Sequence, residues 1–163
     1  MCSGKSTVGR LLAARLGLPF TDLDRLIEAR VGPLLPFVQR QGEDAFRAME
    51  ARVLDEAAST EAAVVATGGG TPISPANRSR MLESGAVVWL DVPLHALMPR
   101  IVRAGGDRPL LFGLRGEALH RRVEELLAER LPLYRMAHHR VDGDGPVEEV
   151  VARIVDALSG QRR

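Results

Sequence analysis

Residues 4–7, Gly-Lys-Ser-Thr, constrain this chain more than any other stretch. They form the second half of the phosphate-binding pattern G-x-x-x-x-G-K-[ST], and the apolar spacing from Val8 to Leu16 predicts a helix starting near Thr7. In such a loop, backbone N–H groups and the helix N-terminus surround a polyphosphate, while the lysine reaches its outer phosphates. The hydroxyl after the lysine, here Ser6, coordinates Mg2+. The nucleotide-binding candidates are therefore Cys2, Ser3, Gly4, Lys5, Ser6 and Thr7, with Lys5 also a catalytic candidate. Alone, the four letters also fit a capped surface helix. The basic residues favour the phosphate reading: of 22 Lys and Arg, Lys5 is the only lysine, and a compact ammonium is what a site between phosphates requires. Only Met1 precedes Cys2. The strand that leads into such a loop, and the loop's first glycine, are expected upstream in roughly ten further residues.

The chain of 163 residues has the size of a single domain, and its 45% hydrophobic and 26% charged content is that of a globular protein. With a net charge of +1, there is no electrostatic case for nucleic acid or an acidic membrane surface. One cysteine excludes an internal disulfide and suits a reducing compartment. No apolar run approaches the ~18 residues of a spanning helix. These features predict a cytoplasmic protein acting on small molecules, without nucleic acid or membrane; a monomer is the expectation, although the sequence does not itself give the oligomeric state. The four histidines form no ligand set.

Along the chain, helical and extended patterns alternate. Val8–Leu16 ends at Gly17 with Pro19 beyond, the usual stop signals of a helix. Residues 19–24 read as a short strand ending in Asp22 and Asp24, which period-two geometry would put on one face. A breaker-rich stretch over residues 31–36 and a turn at Gly42 precede an amphipathic helix from Glu43 to about Ser59, with Phe46, Met49, Val53, Leu54 and Ala57 on one stripe. Residues 62–66 form a continuous apolar strand, as expected when both faces of a parallel sheet are covered. This strand runs into Gly68-Gly69-Gly70, a loop almost without side chains. Further strands are expected over 86–92 and 139–142, and further helices over 75–84, 94–103, 117–130 and 147–158. Residues 104–116, rich in glycine and turn pairs, read as a mobile loop. The alternation defines an α/β doubly wound parallel sheet, with the site at the carboxyl ends of its strands.

Taken together and in order, five elements resemble the shikimate kinase family. They are Gly4-Lys5-Ser6-Thr7, Asp22-Leu-Asp24, the run from Gly42 to Glu50, Gly68-Gly-Gly70, and Arg108-Pro-Leu-Leu111 followed by residues 129–134. The resemblance implies a single domain over residues 1–163 and a five-stranded parallel sheet of the P-loop kinase type. The first central strand would be absent from this chain, the substrate-binding subdomain would lie near 24–60, and the lid near 104–116. It implies ATP-dependent phosphorylation of the shikimate 3-hydroxyl with Mg2+, in aromatic amino-acid biosynthesis. By the same resemblance Ser6 and Asp22 serve the metal, and Asp24 holds substrate hydroxyls as the candidate base. Arg47 and Arg130 grip the shikimate carboxylate, and Gly68, Gly69 and Gly70 make the platform beneath it. Arg103 flanks adenine, while Arg108 closes over the phosphates as a catalytic lid residue.

Three positions depart from the family pattern. Cys2 stands where glycine is usual, so a positive φ there would be strained. Residues 31–36 replace a more regular helix start, and Met136 replaces a glutamate. Two alternatives stay open on sequence alone: a kinase of another small acid such as gluconate, and a kinase-like binding module without turnover.

Overall fold

A computed structural model describes residues 2–105 and 109–160. Seven α-helices and four short parallel strands alternate through it. The order is α1 (Lys5–Leu16), β1 (Phe20–Asp22), α2 (Leu23–Val31), α3 (Leu34–Ala58), β2 (Val64–Ala66), α4 (Pro75–Ser84), β3 (Val88–Asp91), α5 (Leu94–Ala104), α6 (Gly116–Tyr134), β4 (His139–Asp142) and α7 (Val147–Ser159). Single 3-10 turns occupy Thr71–Ile73 and Pro109–Leu111.

The strands form two parallel pairs. β1 lies beside β2 with Phe20 opposite Val64, and β3 lies beside β4 with Val88 opposite His139. Among the described residues no strand runs between the pairs, so four of the five expected strands are present. A common helical layer spans both: Val64 of β2 and Val88 and Leu90 of β3 pack on Val8 and Leu12 of α1 and on Val150, Val151 and Ile154 of α7. The neighbouring residue of β2, Val65, packs instead with Leu23, Ile27, Val53 and Leu54 of α2 and α3. Period-two alternation therefore covers the sheet with helices on both faces, which explains why these strands read as continuous apolar runs.

Several boundaries differ from expectation for identifiable reasons. β1 stops at Asp22, whose carboxylate accepts a hydrogen bond from the backbone N–H of Arg25 at 3.3 Å and caps α2. Asp24 thus sits in the first turn of a helix, and the two aspartates do not share a strand face as predicted. The turn at Gly42 is present inside α3, where φ 85° and ψ 166° interrupt the helical path. The breaker-rich stretch over 31–36 resolves into a helix end at Val31, a positive φ at Gly32, and a new helix starting directly after Pro33.

Part of the segment 104–116 packs on the core in its second half. Leu111 is buried in the cluster formed by Val92, Leu97, Ile101, Leu119, Val123 and Leu126, and the N–H of Leu114 donates to the carbonyl of Leu111 at 3.1 Å. That anchor fixes residues 109–114 to α5 and α6. Residues 106–108 lie outside the described residues.

Gly42 carries the break in α3 alone, since no atom crowds the place a Cβ would occupy. Gly42→Ala is therefore a test of backbone strain without steric conflict. The expected cost is ~1–2 kcal/mol, a fall in Tm of roughly 2–8 °C for a chain of this size. A thermal melt checks it.

Candidate active site

α1 begins where the phosphate loop ends. Gly4 caps the helix with φ 87°, a left-handed conformation that glycine adopts without a Cβ clash. Cys2 also has a positive φ, 49°, so the strain expected of a non-glycine residue at this position is present. The N–H of Val8 closes the first helical turn on the carbonyl of Gly4 at 2.9 Å. Lys5 Nζ donates to Ser3 Oγ at 3.3 Å, which folds the ammonium back over the loop. Ser6 and Thr7 are exposed at the N-terminal end of the helix, where backbone N–H groups and the helix dipole favour an anion.

The glycine tripeptide follows β2, so it too lies at the carboxyl end of a strand. Gly68 packs tightly, because a Cβ built there would lie 3.0 Å from Asp24 Oδ1, 3.0 Å from Glu50 Oε1 and 3.1 Å from Thr71 Oγ1. At Gly70 a Cβ would meet Arg47 Nη1 at 2.8 Å. Glycine at 68 and 70 thus leaves room for Asp24, Glu50, Thr71 and Arg47 to converge on the same few ångströms of backbone, which a side chain would force to shift. Substrate-side candidates distant in sequence are brought together here.

Arg47 and Arg130 stand in opposite electrostatic states. Arg47 Nη1 pairs with Glu50 at 2.9 Å, and Nη2 pairs with Glu43 at 2.9 Å. Partial burial pulls its pKa down, but the hydrogen bonds and charges of Glu50 and Glu43 outweigh this and leave it raised. Arg130 is only 4% exposed. It forms no ion pair among the described residues, and its Nε has no hydrogen-bond partner there. A guanidinium withdrawn from water without a counter-ion is a standing demand for an anion.

A mostly apolar cavity of about 310 Å³ lies between the two strand pairs; Ser3, Lys5, Gly68, Gly69 and Tyr134 line it, whereas Asp24, Arg47 and Arg130 do not. Consecutive residues Val87 to Val92 line it, so the cavity runs along the edge of β3 opposite its pairing with β4. Arg103 lies away from these contacts, exposed in the last turn of α5. The predicted lid residue Arg108 falls outside the described residues.

Three participants lie outside the candidate site residues, although Glu50 and Tyr134 each close a stretch that carries the resemblance and the i+3 spacing of Glu50 already fits a pair with Arg47. Glu50 is 1% exposed, and it accepts the hydroxyl proton of buried Thr71 at 2.7 Å while pairing with Arg47. Its signal was available: position 50 falls within the apolar stripe of Phe46, Val53 and Ala57, where a carboxylate is out of place unless paired. Tyr134 ends the stretch 129–134 that carries the resemblance, while Thr71 has no signal of its own in one sequence.

A phosphate loop opening a helix, facing a polar platform with an unmatched buried cation, suits phosphoryl transfer from a nucleotide to a small acid. The fold and this geometry define a P-loop kinase of small metabolites. A shikimate kinase family model matches residues 1–159. The shikimate kinase of Salinibacter ruber is 46% identical over 99% of this chain and 82% of its own. That of Gloeobacter violaceus is 48% identical over 99% and 89%. Among solved structures, a shikimate kinase from Acinetobacter baumannii in complex with shikimate superposes with a TM-score of 0.90 at 35% identity, covering 99% of this chain and 90% of that one. The chain belongs to the shikimate kinase family, and it is an ATP-dependent kinase that phosphorylates shikimate.

The Thr71–Glu50 contact can be tested on its own. Thr71→Val keeps the shape and removes the only hydroxyl that Glu50 is seen to accept, leaving part of a buried carboxylate unsatisfied. The expected loss is ~1.5–3 kcal/mol, or roughly 3–12 °C in Tm. Serine at 71, which restores the donor, should recover most of it.

Proposed function

We propose that this chain transfers the γ-phosphoryl group of ATP to the 3-hydroxyl of shikimate, with residues 24–60 serving the acid and the phosphate loop serving the nucleotide. The observation that carries the reading is the buried guanidinium of Arg130, without an ion pair among the described residues and connected through Tyr134 to a glycine platform already flanked by Arg47. A carboxylate on a small ring is the ligand such a pair suits, since a guanidinium fork binds it through two parallel charged hydrogen bonds.

Each candidate then has a physical task. The backbone N–H groups around Gly4 and the ammonium of Lys5 hold the outer phosphates and meet charge as it develops on the transferring group. Asp24, close to Gly68, orients the hydroxyl and takes its proton. Arg47 and Arg130 fix the acid so that this hydroxyl faces the phosphate, which converts binding energy into alignment. Gly68, Gly69 and Gly70 form the floor. Arg108 is assigned to the closing lid and Arg103 to the adenine side by resemblance alone.

Mg2+ belongs to the same reading. Ser6 and Asp22 offer one hydroxyl and one carboxylate, both hard oxygen donors, and this sparse set suits an ion that keeps its phosphate and water ligands. When bound, the ion neutralises the β- and γ-phosphate oxygens. The reading further has the enzyme working as a cytoplasmic monomer on two small-molecule substrates, with neither nucleic acid nor membrane involved. No helix among the described residues is long and apolar enough to cross a membrane.

Lys5→Met should reduce kcat by more than tenfold, equivalent to more than ~1.4 kcal/mol, in a coupled assay of ADP release with shikimate. Retention of a tenth or more of wild-type kcat would remove Lys5 from the transfer step. In the same assay Arg47→Ala and Arg130→Ala should each raise the shikimate KM by about tenfold or more, leaving the ATP KM near wild type. Arg130→Ala should be the more damaging, because Arg47 already holds two internal carboxylates and Arg130 holds none. An unchanged shikimate KM would exclude that arginine from carboxylate binding.

A further inference from the structure

The glycine platform is held at three carbonyls, and the three holds are not alike. The carbonyl of Gly68 accepts from the N–H of Thr71 at 3.2 Å, and that of Gly70 accepts from the N–H of Ile73 at 3.0 Å. Both are local turn bonds. The carbonyl of Gly69 instead accepts from the phenolic hydroxyl of Tyr134 at 2.7 Å, across 65 residues of sequence. Three successive glycines have more backbone freedom than any other tripeptide. The orientation of the central peptide plane therefore depends on that single long-range bond. Because the peptide is planar and trans, fixing the Gly69 carbonyl also fixes the Gly70 N–H on the opposite edge of the same plane.

Tyr134 is itself held. Its ring packs against Trp89 of β3 with centroids 6.2 Å apart. It lies four residues after Arg130 on α6, so the two side chains share one helix face. Burial pushes the phenol pKa up, and the Arg130 guanidinium beside it opposes the rise without cancelling it. The hydroxyl consequently remains a proton donor across neutral and moderately alkaline pH.

We propose that Tyr134 is a positioning residue for substrate: its hydroxyl clamps the Gly69 carbonyl and sets the glycine platform in register with Arg130, so that the acid meets the floor and the cation together. This inference rests on the reading of the platform and Arg130 as the substrate side of the site. Tyr134 touches no reacting atom; it acts through Gly69.

Tyr134→Phe removes the hydroxyl and keeps the ring on Trp89. In the full-length protein, the expected result is a shikimate KM raised about tenfold, with kcat within about threefold, the ATP KM unchanged and Tm within a few degrees; tenfold is ~1.4 kcal/mol, the size of one lost hydrogen bond. Backbone hydrogen exchange read on peptides covering 67–73 should accelerate by a similar factor, with or without substrate. An unchanged shikimate KM overturns the proposal, as does a parallel loss of kcat, both KM values and Tm, which marks a merely structural tyrosine. Unchanged exchange at 67–73 overturns the clamp whatever the kinetics. Failure of the underlying reading shows separately, as a wild-type enzyme that does not turn over shikimate while exchange at 67–73 still accelerates in the variant.

Discussion

The substrate end of this protein is organised by one buried carboxylate. Glu50 is almost fully withdrawn from water, a state that costs several kcal/mol for an ion without partners. It persists because Thr71 gives it a hydroxyl proton and Arg47 a charged hydrogen bond. Each partner is thereby committed. Thr71 fixes the turn that follows the glycines, and Arg47 is drawn across Gly70. A single residue on the core face of α3 thus ties that helix to the loop after β2, and the geometry of the region proposed to bind the acid follows from it.

The phosphate end rests on a different kind of constraint, one of backbone rather than charge. The loop turns through positive φ at Cys2 and Gly4 before its N–H groups line up at the start of α1. Cys2 adopts this conformation without the freedom of glycine, at a cost on the order of 1–2 kcal/mol, and the thiol is accommodated by packing against the cluster around Val92 and Leu97. Both ends lie at the carboxyl side of the sheet, at the start of α1 and in the loop after β2, where a doubly wound sheet leaves room for ligands.

Much of this was legible in the sequence, and the reasons separate cleanly. Elements whose periodicity is strong and whose stops are glycine or proline, such as α1, α4 and α7, are found where residue pattern puts them, because local physics alone decides them. Asp22 and Asp24 illustrate the limit: a strand and a helix N-terminus both welcome aspartate, and only the bond from the Arg25 N–H to Asp22 chooses between them. Pro109 and Gly113 give the segment 109–114 a loop's signature, while its leucines, too few for a periodic pattern, are what packs it on the core. Arg130 was placed at the site by resemblance. That it is buried and uncompensated is a tertiary fact, since nothing in a helix full of Arg–Glu spacings distinguishes one arginine from its neighbours. Tyr134 bonds a glycine 65 residues away, a relation that no local pattern encodes.

The unmatched charge of Arg130 has a bearing on the protein as a material as well as on its chemistry. A cation sealed in the interior raises the free energy of the empty protein relative to any form in which an anion sits against it. On the proposed assignment of Arg130 to the shikimate carboxylate, the substrate completes part of the interior in addition to occupying a site. Folding and saturation become linked, since a ligand that binds the native chain alone stabilises it in proportion to the logarithm of its concentration over Kd. On the same assignment, a cell rich in shikimate would hold a sturdier population of this enzyme than one that has run short, and its loss to proteolysis would track the supply of its own substrate.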